Sequence, residues 1–199
     1  MLSVTDLLTL TKRPKRKFLS LLTLQQFYKE HLCDRVFIFE TDDIDRPIVK
    51  LRFKEEHLCH LLGFQYLFDE KRYGKTYVGT DGYNLIANGT VTFQSIEKSN
   101  PTELAKQENR ILFFPFVHQI LQNPESIIFL PQNVPFKSKF KADLIFYNEL
   151  NKRYLHLGLD RFKNRPQNYY PKSFFERKDK AFINGQTQVT INSKRIELD

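Results

Sequence analysis

The order of apolar and polar positions splits the chain into a first part with a helical repeat and a last part that alternates. Leu21, Leu24, Phe27, Tyr28 and Leu32 recur at helical spacing opposite Gln25, Gln26, Lys29 and Glu30, within a stretch over 1–32 that reads as helical. Pro14 separates a short first helix from this second one, because proline has no N–H for a helix interior. Val36 to Thr41 and Ile48 to Phe53 read as two strands around the acidic turn Asp42–Pro47. Helical periodicity returns over Glu55–Tyr66, where His57 and His60 lie three residues apart and are surface neighbours. A polar, glycine-bearing loop follows at 69–82. Helices are predicted at about 83–98 and 101–122, the second kinked or restarted at Pro115, with His118 as an ordinary helix residue.

The last third is strand-like. Ser126–Leu130 reads as a short buried strand, and Phe140–Tyr147 with Arg153–Leu159 as a hairpin around Asn148–Asn151. Matching apolar faces pairs Leu144 with Leu155 and sets Asp143 opposite His156, on an open face with Lys141, Ile145 and Tyr154. In Asn168–Arg177, Ser173, Phe175 and Arg177 alternate, so Ser173 and Arg177 share a face. Taken alone, that stretch reads as an aromatic-rich edge strand. Asn184-Gly185 marks a turn before strands at about 187–192 and 195–198. The predicted fold class is α+β: N-terminal helices followed by a C-terminal twisted antiparallel β-sheet. One domain is expected over 1–199, with 1–125 mainly helical apart from the hairpin at about 36–53, and 126–199 carrying the sheet and the site.

Composition adds a partner. Net charge is +8 over 199 residues, and Lys137–Lys180 alone holds eight lysines and four arginines against five carboxylates. A surplus of that kind favours nucleic acid or an acidic protein over a membrane surface. Cys33 and Cys59 form no paired motif, which suits a reducing compartment. No apolar run is long enough to cross a membrane and the N-terminus has the reverse of a leader's charge order, so a cytoplasmic protein is expected.

Neither a metal nor a cofactor is expected. The aspartates at 42, 43 and 45 do not have calcium-loop spacing, and no ligand set completes a zinc site around His57 and His60. Gly74-Lys75-Thr76 lacks the upstream glycine of a phosphate loop. What remains is lone histidines, a lysine–aspartate–histidine face, a serine with an arginine, and tyrosines. That set suits metal-independent RNA cleavage, which needs a base for the 2′-proton, a cation for the phosphorane charge and an acid for the 5′-oxygen. Tyrosines can hold unstacked bases.

Phe53-Lys54-Glu55-Glu56-His57-Leu58-Cys59-His60-Leu61-Leu62-Gly63 resembles the His-Leu-x-Gly helix of phage- and Firmicute-associated domains grouped as barnase–EndoU–colicin–RelE-like. Lys141-Ala142-Asp143, Tyr154–Gly158 and Tyr170–Arg177 are similar to C-terminal segments of one such subgroup, so the likeness spans about 50–190. The resemblance implies a metal-independent ribonuclease acting as a toxin, anti-phage defence effector or phage-encoded factor, restrained by an acidic antitoxin or immunity protein, with RNA (tRNA and mRNA both open) as partner. Carried over by position, His60 is a general acid or base and His156 a second proton-transfer candidate. Lys141 and Arg177 steady phosphate charge and Ser173 bonds the phosphate. Tyr154, Tyr169, Tyr170, Lys172 and Asp143 are the substrate-binding candidates. A non-catalytic basic nucleic-acid-binding or protein-interaction module is the rival reading.

Overall fold

A computed structural model describes residues 1–68 and 73–199, so Asp69–Arg72 of the predicted 69–82 loop fall outside the described residues. The chain forms two compact units that interleave in sequence: Met1–Cys33 with Lys54–His118, and Asp34–Phe53 with Gln119–Asp199.

The first unit is helical. It contains α1 (Val4–Leu8), α2 (Leu21–His31), α3 (Leu58–Leu61), α4 (Phe64–Leu67), α5 (Gly79–Ala87), α6 (Phe93–Ser99) and α7 (Pro101–Phe113), and α8 (Val117–Gln122) starts at its end. Side chains cap the starts: Ser3 accepts from Asp6 N at 3.2 Å and Ser20 from Thr23 N at 2.9 Å. The apolar stripe of α2 is its buried face, with Leu24, Phe27 and Tyr28 fully inside. Two predicted helices are broken by left-handed glycines. Gly63 (φ 84°) divides Glu55–Tyr66 into α3 and α4, and the 83–98 helix begins earlier, at Gly79, and stops before Gly89 (φ 78°). No helix of the described residues is long and apolar enough to cross a membrane.

The second unit is an eight-stranded sheet: β1 (Arg35–Thr41), β2 (Ile48–Arg52), β3 (Glu125–Ile128), β4 (Leu144–Leu150), β5 (Arg153–Phe162), β6 (Arg165–Arg177), β7 (Thr187–Val189) and β8 (Ile191–Leu198). The order is β7-β3-β4-β5-β6-β2-β1-β8, antiparallel except for β2 with β6. The fold is therefore α+β, as the periodicities predict. The 36–53 hairpin, grouped in sequence with the helices, pairs into this sheet.

The β4–β5 register differs from the predicted one. Leu144 pairs with Leu159, and His156 faces Tyr147 rather than Asp143. The cause is the turn: Asn151 and Lys152, both left-handed (φ 51° and 62°), close a two-residue loop two positions later than predicted. Because the pairing slips by an even step, each residue keeps its predicted face. On one face Leu155, Leu157 and Leu159 are buried; on the other, Ile127, Ile145 and Tyr147 gather with Phe129, Val134, Phe182 and Ile183 into a separate apolar cluster. The face predicted to be open is covered there.

Asn168–Arg177 is not a simple edge. Asn168 and Tyr169 pair with Lys50 and Leu51 of β2, Tyr169 pairs with Arg161 of β5 as well, and from Pro171 onward the pairing is with β5. Gly158 pairs with Ser173 but Leu159 with Pro171, so Lys172 is the extra residue of a bulge. A bulge is where an interior strand tolerates a proline.

Candidate functional site

β6 organises the candidate residues of the sheet unit. By strand alternation Asn168 and Tyr170 before the bulge, and Ser173, Phe175 and Arg177 after it, face the same side. Ser173 and Arg177 thus share a face, as the sequence predicts. Lys172, displaced by the bulge, is ion-paired with Asp160 of β5. Next to them on β2, Arg52 donates to Asn168 Oδ1 at 3.0 Å and to Asp199 Oδ1 at 2.8 Å. Lys50, opposite Asn168, is on the same side. Ser173, Lys172, Tyr170, Lys50 and Arg52 are all half-buried, which leaves polar atoms reachable from solvent.

Arg177 is held on three sides. Both guanidinium nitrogens Nε and Nη2 donate to Asp179 at 2.8 Å, and its flat faces lie 5.1 Å from the Phe136 ring and 5.4 Å from Phe182. Donation from Arg177 draws the Asp179 carboxyl down to about 2. The same pair raises Arg177 above the ordinary guanidinium value. A carboxylate in bidentate contact occupies the donor fork that a phosphate would use.

His156 is corrected from surface residue to core residue. It is 0% exposed and its ring stacks on Phe175 with centroids 4.6 Å apart. Neither ring nitrogen makes a hydrogen bond of normal geometry. Burial pushes its pKa down to about 4, against a smaller opposing pull from the Phe175 backbone. A neutral, sealed imidazole has no route to exchange a proton with a substrate.

Tyr169 is corrected likewise, and Asp143, half-buried, is its partner. Tyr169 is 0% exposed and donates to Asp143 Oδ2 at 2.9 Å. Asp143 also receives Arg46 Nε at 3.0 Å and Nη2 at 2.8 Å, with Arg161 at 3.6 Å. Burial alone would raise the Asp143 carboxyl, but Arg46, Tyr169 and Arg161 outweigh it and hold it below the ordinary value. Burial and Asp143 together push the Tyr169 phenol up. These groups tie the 42–47 turn to β4 and β6. The acidic turn has the same structural use, since Asp43 binds Arg46 at 3.3 Å and Asp42 accepts from Thr190 N at 2.8 Å. Among the described residues no group of three His, Cys, Asp or Glu side chains is placed to hold a metal.

The remaining candidates are accessible. Tyr154 and Tyr170 are half-buried, beside Lys180 (5.3 Å from the Tyr154 ring) and Phe162 (centroids 5.1 Å) respectively. Lys141 is exposed just before β4. His60 belongs to the helical unit and is exposed in α3. The carbonyls of His60 and Leu61 both accept from Arg110, at 2.7 Å. Burial lowers that guanidinium to about 10. A Cβ on Gly63 would approach Gln107 Oε1 to 2.8 Å, so the turn after His60 is closely packed against α7.

Sequence reasoning missed Lys50, Arg52 and Asp160 as members of this surface, and Arg46 as the partner of Asp143. The period-two spacing of Lys50 and Arg52, polar positions in an otherwise apolar strand, is the signal that could have found two of them.

No curated protein and no solved structure is significantly similar to the chain. The family described as phage-Barnase-EndoU-ColicinE5/D-RelE like nuclease 4 matches residues 20–198, nearly the whole length, and the chain belongs to that family of nuclease domains.

Proposed function

We propose that the protein is a metal-independent endoribonuclease whose phosphate-handling groups lie on β6. The observation that carries this is the run Lys172, Ser173 and Arg177, which sets two cations and a hydroxyl along six residues of one strand of a nuclease-family sheet. In cleavage by the 2′-hydroxyl, charge builds on the non-bridging oxygens as the 2′-oxygen attacks phosphorus and the 5′-oxygen leaves. Ser173 donates a hydrogen bond to one of these oxygens, Lys172 and Arg177 neutralise the charge as phosphate takes the place of their partners Asp160 and Asp179, and Lys141 adds a further cation. Tyr154 and Tyr170 hold bases. His60, exposed in α3 of the helical unit, is the proton-transfer candidate by residue type.

The sealing of His156 favours one rival. His156 is the one histidine in 34–53 and 119–199, so the sheet unit also suits RNA binding without chemistry. The role as toxin, defence effector or phage-encoded factor in the cytoplasm, under an acidic antidote, belongs to the catalytic reading.

The test is purified protein incubated with end-labelled RNA and matching DNA in excess chelator. New 2′,3′-cyclic phosphate and 5′-hydroxyl ends on RNA alone, lost in Ser173→Ala, Arg177→Ala and His60→Ala, support the proposal. Intact RNA, equal cutting of DNA, or activity that vanishes with chelator overturns it.

A further inference from the structure

The segment between β3 and β4 is fixed across the sheet by one ring. Phe140 lies 4.9 Å from Phe129, 5.1 Å from Phe175 and 5.6 Å from Phe182, centroid to centroid. It sits over Gly158, where a Cβ would come within 2.6 Å of Phe140 Cζ. Asp143 N donates to Leu159 O at 2.8 Å and ties the end of the strap to β5, while Phe140 N donates to Ser138 Oγ at 3.1 Å and fixes the local turn of the strap itself.

Anchored this way, the strap sorts its side chains. Lys137, Lys139 and Lys141 are exposed, while Ser138, Phe140 and Ala142 between them are half-buried. None of the three lysines makes an ion pair with a described residue. Phe136 leads the row, 42% exposed, with its ring against the Arg177 guanidinium and 5.7 Å from Phe182. A row of like charges repels itself, and no carboxylate of the described residues is ion-paired with this one. An exposed aromatic followed by regularly spaced cations is what a single strand needs, with a face to stack a base on and charges to follow its phosphates.

We propose that residues 136–141 are a guide for single-stranded RNA beside the β6 phosphate groups, with a base on Phe136 and successive phosphates on Lys137, Lys139 and Lys141. This rests on the reading that the sheet unit takes RNA, and not on its cleaving it. A single strand is favoured over a duplex because a duplex hides the base faces that Phe136 would meet.

The test is fluorescence anisotropy with a labelled 2′-O-methyl oligonucleotide, which cannot be cut through its 2′-oxygen, titrated at several salt concentrations. The double variant Lys137→Ala/Lys139→Ala is expected to bind at least tenfold more weakly at low salt. Its log K against log salt slope should be shallower by about 1.4, at about 0.7 for each phosphate contact on a single strand. Phe136→Ala is expected to weaken binding several-fold with the slope unchanged, and to leave the weaker binding of a duplex of the same sequence untouched. An unchanged slope in the lysine variant, as for a row that meets an acidic protein or only solvent, overturns the guide. Equal losses for duplex and single strand in Phe136→Ala overturn the base contact. If the lysine variant shifts the slope while wild type cuts no RNA, the guide stands and the catalytic reading falls. If RNA is cut and the slope is unmoved, the reverse holds.

Discussion

His156 and Ser173 stand on the same face of two adjacent strands, one step apart, and their surroundings are opposite. His156 pairs with Phe175 and lies under an aromatic cover; Ser173 pairs with Gly158 and stays half-exposed beside a bulged lysine. Neither strand position nor side-chain polarity separates them. What does is the cover: Phe182, from beyond β6, meets the His156 ring at 6.0 Å, and Phe140 of the strap packs on Phe182 and over Gly158. A sheet face is thus divided by what lies on it into a sealed half that specifies structure and a polar half that can meet a substrate.

The contrast is broken most strongly by placing the same charge in each half. His156→Lys is expected to lose several kcal/mol, enough to leave little folded protein, because an unpaired ammonium would be buried. Asn168→Lys, half-exposed but losing the bond from Arg52 and meeting Lys50, should cost only about 1–2 kcal/mol. Chemical denaturation of both variants checks this, and equal losses would erase the distinction.

Acid titration sharpens it next. The His156 pKa is held near 4 by burial, below its ordinary 6.5. The folded state therefore favours the neutral ring. That contribution is fully present above about pH 6.5 and is lost as pH falls toward 4. It amounts to on the order of 3 kcal/mol. His156→Phe keeps an aromatic ring in the stack, and its denaturant midpoint should be flatter between pH 6.5 and 4 than that of wild type. A wild-type slope retained in His156→Phe would place the acid sensitivity elsewhere.

These expectations were only partly legible in the sequence. Alternation placed Ser173 and Arg177 on one face, and put His156 with Ile145 and Tyr154, because a register slip of even step preserves faces. Alternation cannot say what covers a face, since the cover comes from Phe140 and Phe182, which lie at a distance along the chain. Tyr169 shows the same limit. Its phenol suggested a base-stacking surface, yet the hydroxyl has a partner, Asp143, that only the fold supplies. The hairpin turn was misplaced because left-handed Lys152 occupies the position where glycine would have announced it. Gly158 was the readable clue to the cover, as a glycine inside a strand pattern marks a close approach.

Gly158→Val tests the cover itself. An added side chain would push Phe140 out of the cluster, at about 1–3 kcal/mol. For a chain of this size that is roughly 2–10 °C in Tm, readable by calorimetry. An unchanged Tm would mean that Phe140 does not hold the strap down. The smallest effect expected is Asp179→Asn, which loosens the bidentate contact on Arg177. Affinity for a 2′-O-methyl oligonucleotide should rise about two- to fivefold, the scale of one exposed ion pair. Weaker binding would instead give Asp179 a part in orienting Arg177.

The most direct measurement is the initial rate of 2′,3′-cyclic phosphate formation on RNA, in chelator, for wild type, Ser173→Ala and His156→Phe. A phosphate-contacting Ser173 and a structural His156 require a loss of about 100-fold or more in the first variant and a rate within about threefold of wild type in the second. The opposite pattern, with Ser173→Ala active and folded His156→Phe inactive, would contradict the division of the face.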